Sequence, residues 1–153
     1  MNRTLLLAAA LAAIPITAAL AQDAPAAGLT PEQIVAARQS AYILSGGTFA
    51  SMKFAADAGV DVKQLAFPSR ALARWARTLP TMFPAGTNLP SSRALPTVWS
   101  DRAGFEARAA AYAEAARLLA EAAQSGDRDA FLARWTDTRA TCSACHDTYR
   151  SAD

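Results

Sequence analysis

The sequence predicts an all-α fold, an antiparallel four-helix bundle with one long crossover loop. Three observations predict it. Of the 153 residues, 40 are alanine, the strongest helix former. Beyond residue 21 only 6 residues are valine or isoleucine, types that favour strands, so an all-β or doubly wound α/β fold is excluded. Beyond Gly28 the chain divides into four helix-length blocks with one long and two short connections, the pattern of an antiparallel bundle. The length suits one domain, and a hydrophobic content of 52% rules out a wholly disordered chain. A formal charge of +2 is too small a basic excess for a dedicated nucleic-acid binder.

The N-terminus has the grammar of an export signal. Met1-Asn2-Arg3 is a short positive start, Leu5 to Ile14 is an apolar run closed by Pro15, and Ala19-Leu20-Ala21 is a small–x–small cleavage pattern. The cut is expected before Gln22, giving a signal peptide over 1–21 and a domain over 22–153. The alternative is an uncleaved anchor, but the run is shorter than the ~20 apolar residues of a spanning helix. No other stretch is apolar enough to span. Export implies an oxidising compartment, here the periplasm.

Each block of the mature chain has its own start and stop. Thr30-Pro31-Glu32-Gln33 combines a cap, a first-turn proline and a capping-box glutamine, and opens a helix running to about Phe54. Gly46-Gly47 inside it either kinks the helix or lets another helix or subunit approach closely. A second helix is expected over about Val62 to Leu79, kinked or delayed by Pro68. Pro80 to Ser100 holds Pro80, Pro84, Gly86, Pro90 and Pro96 and reads as the crossover. Ser100 is the expected cap of a third helix that Gly126 stops. Asp127 starts the fourth, which is expected to continue to about Ser151.

The fourth helix carries the chemistry. Phe131, Trp135, Thr138, Cys142, Cys145 and Tyr149 recur at spacings of 4, 3, 4, 3 and 4, one inward stripe. Cys142-Ser143-Ala144-Cys145-His146 is C-x-x-C-H, the attachment signature of c-type haem. Two thiols about one turn apart can form thioethers with the two vinyl groups of a porphyrin, and the adjacent imidazole can reach the iron. Both cysteines and the only histidine fall within these five residues. A disulfide is the first alternative for an exported pair. A thioredoxin-type pair lacks its βαβ context, and a zinc site lacks an obvious fourth ligand.

The C-terminal Cys-Ser-Ala-Cys-His-Asp-Thr-Tyr-Arg resembles the cytochrome c′ family, the class II c-type cytochromes. So do Ala37-Arg38-Gln39-Ser40-Ala41, Phe83-Pro84-Ala85-Gly86-Thr87 and Pro96-Thr97-Val98-Trp99-Ser100-Asp101. The resemblance covers nearly all of the mature chain. It implies haem c, bound covalently through Cys142 and Cys145, with His146 as the sole strong protein ligand of a five-coordinate iron. It implies a side chain from the first helix crowding the other face, at the position of Tyr42. Tyr42 is otherwise an ordinary core tyrosine, since Phe49 repeats its position seven residues on; phenolate ligation is a third option, disfavoured by burial of the charge. The resemblance places Arg38 and Arg150 near the haem edge and its proximal side, against the alternative of solvated surface arginines. It implies a homodimer through the first two helices.

Electron exchange with redox partner proteins and binding of small diatomic gases (NO, CO) are the expected functions, without enzymatic turnover. The competing readings are a six-coordinate low-spin carrier with a methionine ligand, a weak peroxidase or nitric oxide reductase, and a haem-free helical module. Met52 and Met82 are the methionines left after signal removal, and both read as core filling. An enzyme needs a distal proton donor, and Tyr42 is the one candidate once the histidine is taken by iron.

Overall fold

The computed structural model describes residues 28–152. The expected signal peptide lies outside the described residues. Among the described residues there is no strand, and no helix is long and apolar enough to cross a membrane. The long helices are α1 (Pro31–Asp57), α2 (Ala66–Thr78), α4 (Arg102–Ser125) and α5 (Arg128–Tyr149); α3 (Thr97–Ser100) is a single turn in the crossover. The four long helices form the bundle. α4 packs along α2 and α5, while α1 touches α2 and α5 more lightly.

Local chemistry explains most of the boundaries. Thr30 Oγ1 accepts from Gln33 N at 3.3 Å and Gln33 Oε1 accepts from Thr30 N at 2.9 Å, the reciprocal capping box. α1 runs through Gly46-Gly47 as one continuous helix, so the glycine pair does not break it. A Cβ on either glycine would meet nothing within 4 Å, so no described helix packs against that point. Pro68 delays rather than kinks: Val62–Leu65 forms a 3-10 turn and α2 begins at Ala66, which leaves Pro68 in the first turn, where a missing N–H costs nothing.

The third long helix is capped by Asp101, not by Ser100. Ser100 is the last residue of the turn that Pro96 starts, and Asp101 Oδ1 accepts from Gly104 N at 3.2 Å. Gly126 ends that helix at φ +83°, with the Lys63 side chain packed where a Cβ would stand. Asp127 caps α5 by accepting from Ala130 N at 2.9 Å. α5 stops at Tyr149, two residues early, because Arg150 leaves the helix to pair with Ala94 of the crossover.

The core has two parts. One holds Met52, Ala56, Val62, Leu65, Leu72, Leu119 and Phe131. The other holds Leu79, Phe83, Val98, Phe105, Ala109 and Tyr149, at the end of the bundle the crossover covers. Tyr112 packs against both. The candidate site belongs to the second.

Candidate functional site

α5 presents its stripe as the spacing predicts. Phe131, Thr138 and Tyr149 are buried, and Trp135, Cys142 and Cys145 are half-buried. Cys145 and His146 line a cavity of about 570 Å³, a size typical of cofactor sites (~300–1,000 Å³). Tyr42, Ile43 and Gly46 of α1 form a second wall, and Phe83, Ser92, Arg93, Ala94 and Val98 of the crossover form a third. Phe105 and Tyr149 close the base, and Arg38, Gln39 and Arg150 complete the lining. Cys142 is not in this lining; its thiol lies one turn earlier and is felt by Tyr112. Burial pushes both thiols above their ordinary range.

The His146 imidazole is held below its usual range, first by burial and then by the guanidinium of Arg150, with a smaller push from Arg93. Asp147 opposes them. Arg150 Nη1 lies 3.4 Å from His146 Nδ1. These groups favour the neutral imidazole, the form that binds a metal. His146 remains solvent-accessible as a residue while lining the cavity.

Tyr42 packs edge-on against Trp75, ring centroids 5.5 Å apart at 89°, and tilts against Phe83 at 6.5 Å. Its phenol is pushed up, chiefly by burial and then by Cys145, against the pull of Arg38 and Arg150. Burial therefore favours the neutral phenol on this wall of the cavity. Phe49, its partner on the sequence stripe, serves the other half of the core: it stacks on Trp135 at 4.5 Å, and Trp135 Nε1 donates to its carbonyl at 3.0 Å. Trp99 is also structural, donating from Nε1 to Pro84 O at 3.0 Å.

Arg38 is 2% exposed, which overturns the reading of a solvated surface arginine. Nη1 donates to Thr87 Oγ1 at 2.9 Å and to Met82 O at 3.2 Å. Nη2 donates to Thr87 O at 2.8 Å and to Ser92 Oγ at 2.7 Å. The guanidinium carbon sits 4.4 Å from the Phe83 ring centroid. Arg38 thus ties α1 to the crossover wall while its side chain lines the cavity. Burial lowers its pKa, with Tyr42 opposing.

Met52 is buried in the other half of the core, where Ser69 Oγ donates to its sulfur at 3.2 Å. Met82 packs beside Tyr42 and Trp75, but neither methionine lines the cavity. Arg117 lies in a solvated cluster with Glu114 and Glu121.

Sequence reasoning missed Arg93, Ser92, Phe105 and the contribution of Tyr149 to the cavity. Arg93 and Ser92 lie in a crossover with no periodic pattern. Tyr149 and Phe105 are legible as inward residues, but their meeting, at 5.5 Å between rings, depends on how α4 and α5 pack.

The chemistry of the lining fits an iron porphyrin. It is largely apolar, as a flat macrocycle requires, it holds one imidazole and a thiol, and its polar members are cationic or neutral. Guanidinium groups suit the two carboxylates that such a cofactor carries.

The sequence model of the family described as "Cytochrome C'" matches residues 33–150. The chain is 34% identical over 122 residues to a cytochrome c′ of Alcaligenes xylosoxydans xylosoxydans, covering 78% of this chain and 94% of the relative. It is 32% identical over 152 residues to that of Rhodospirillum rubrum, covering 99% of each. Among solved structures, the nitric oxide complex of a variant cytochrome c prime from Alcaligenes xylosoxidans superposes with a TM-score of 0.75 at 32% identity, covering 81% of this chain and 98% of that one. Cytochrome c′ from Rubrivivax gelatinosus gives 0.73 at 31%, covering 79% and 97%.

Proposed function

The chain belongs to the cytochrome c′ family, whose members carry covalent haem c, and from that membership we propose a periplasmic electron-transfer and gas-binding protein with a five-coordinate haem. The observation that carries this reading is the composition of the cavity: one imidazole, from His146, and no methionine in its lining. The haem supplies an iron that exchanges one electron and, when ferrous, bonds NO or CO.

The residues divide the remaining work. Cys142 and Cys145 anchor the cofactor by thioethers, one turn apart on α5. His146, its neutral form favoured by burial and by Arg150, would hold the iron through a ring nitrogen. Tyr42, braced by Trp75, would narrow the cavity and keep water and bulky ligands from a bound haem. Arg38 and Arg150, which line the cavity, would offset the cofactor's negative charge. The nitric oxide complexes solved for the Alcaligenes xylosoxidans relative support gas binding. No turnover is assigned, because a phenol held well above its ordinary pKa is a poor proton donor near pH 7.

The optical spectrum of the reduced protein tests this directly. A high-spin Soret band that changes on adding NO supports the reading. A low-spin band without added ligand, with a methionine–iron charge-transfer band in the oxidised protein, overturns it in favour of a six-coordinate carrier.

A homodimer through α1 and α2 belongs to the same proposal. Ile43, Leu44 and Phe54 of α1 and Phe67 of α2 are all more than 70% exposed. α1 carries no charge from Gln39 to Met52, and its open glycine pair would admit a second copy. Exposed large apolar side chains on neighbouring helices mark a contact surface. Sedimentation at micromolar concentration should give a dimer; a concentration-independent monomer rejects it.

A further inference from the structure

The turn of α5 that carries His146 is also the end of its helix, where four carbonyls lose their partners and helices fray. No C-terminal glycine seals it: Arg150 is extended, at φ −127° and ψ 136°. The crossover takes up the loose groups instead. Leu95 N donates to Tyr149 O at 3.0 Å, Thr97 Oγ1 donates to Thr148 O at 3.0 Å, and Ser151 N donates to Arg93 O at 2.9 Å.

A second fastening comes from the Tyr149 side chain. The ring is 5% exposed and meets Phe105 edge-on at 5.5 Å. Its hydroxyl donates to Asp101 Oδ2 at 2.6 Å. The other oxygen of Asp101 caps α4 through Gly104 N. A Cβ on Gly104 would stand 2.5 Å from the Tyr149 hydroxyl, so the bond exists only because α4 is bare at that point. Asp101, Gly104 and the hydroxyl thus converge on one short bond. Burying the aromatic ring needs none of them, because phenylalanine would fill the space.

We propose that Tyr149, latched to Asp101, is a positioning residue that fixes the angle at which α5 presents the His146 imidazole. This rests on His146 being the iron ligand. Tyr149 lies three residues on, about 4.5 Å along the helix axis, and lines the same cavity. Metal sites hold their ligands to about 10–20° through such supporting contacts. Losing one commonly weakens ligand hold about 10- to 100-fold.

The test is resonance Raman spectroscopy of the ferrous, haem-loaded protein, with reduction potential as a second readout. In Tyr149→Phe the iron–imidazole stretching band should move to lower frequency and broaden. A weaker imidazole donor disfavours the ferric form. The ferrous-to-ferric ratio at fixed potential should therefore rise about three- to tenfold, a tenfold change being about 59 mV for one electron. Gly104→Ala, which pushes the hydroxyl off Asp101 from the other side, should shift the band in the same direction. Phe131→Ala, destabilising but remote from the latch, should leave it in place. An unmoved band and potential in Tyr149→Phe overturn the latch, as does an equal shift in Phe131→Ala. No iron–imidazole band in the unmutated protein overturns the histidine ligation beneath it, a separate failure.

Discussion

Replacing Arg38 with methionine should cost the folded protein about 3 kcal/mol. The magnitude follows from what the guanidinium leaves behind. Of its four acceptors, Thr87 Oγ1 keeps its bond to Pro84 O and Ser92 Oγ keeps the Ala94 N–H. The carbonyls of Met82 and Thr87 lose a charged donor, and each orphaned, largely buried acceptor costs about 1–3 kcal/mol. Loss of the guanidinium over Phe83 adds about 0.5–2 kcal/mol. Methionine offsets part of this, because an apolar chain needs no solvation, whereas Arg38 is a buried cation with no carboxylate among its hydrogen-bond partners. Urea unfolding of the haem-loaded protein, followed by far-ultraviolet circular dichroism, measures the loss. Arg38→Lys should fall between the two, since one ammonium cannot reach all four acceptors. A loss below about 1 kcal/mol for Arg38→Met, the worth of an ordinary exposed hydrogen bond, would refute the claim that this side chain fastens the crossover to α1.

Three further outcomes follow from the same geometry. Gly126→Ala should lower stability by about 1–2 kcal/mol in urea titration, because φ is +83° and Lys63 fills the space; a neutral result would contradict the left-handed cap. Phe131→Ala, at 0% exposure, should cost about 3–5 kcal/mol by the same assay. Stability should also fall as pH rises above about 10, because Tyr42 is pushed above its unfolded value: the native state keeps a phenolic proton that the unfolded chain gives up. The contribution is fully present below that pH, and Tyr42→Phe should flatten the decline between about pH 9 and 11. An unchanged slope would show that the phenol is not buried.

Much of this was legible in the residues, and the division has a physical cause. The capping box at Thr30 and Gln33, the delay at Pro68, the stop at Gly126 and the cap at Asp127 depend on neighbours within a turn, which a sequence displays directly. The inward stripe of α5 needed only helical periodicity. The cap of α4 shifted from Ser100 to Asp101 because Pro96 starts a separate turn just upstream, a competition between two local signals. Arg38 could not be read as buried. Its partners at Met82, Thr87 and Ser92 lie more than 40 residues away, in a crossover without a repeating pattern. The same distance hid the Tyr149–Asp101 bond and the pairing of Ala94 with Arg150 that ends α5 early. Tyr42 is legible as an inward residue, and it packs on Trp75 and lines the cavity.

The proposed function requires one haem joined to α5 through Cys142 and Cys145. The intact mass of the protein secreted by a periplasm-competent bacterial host, taken under denaturing conditions, tests it most directly. The expected mass is that of the polypeptide from Gln22 to Asp153 plus one haem, with the haem retained after unfolding. A mass equal to the polypeptide alone, or to the polypeptide less two hydrogens from a Cys142–Cys145 disulfide, would contradict it.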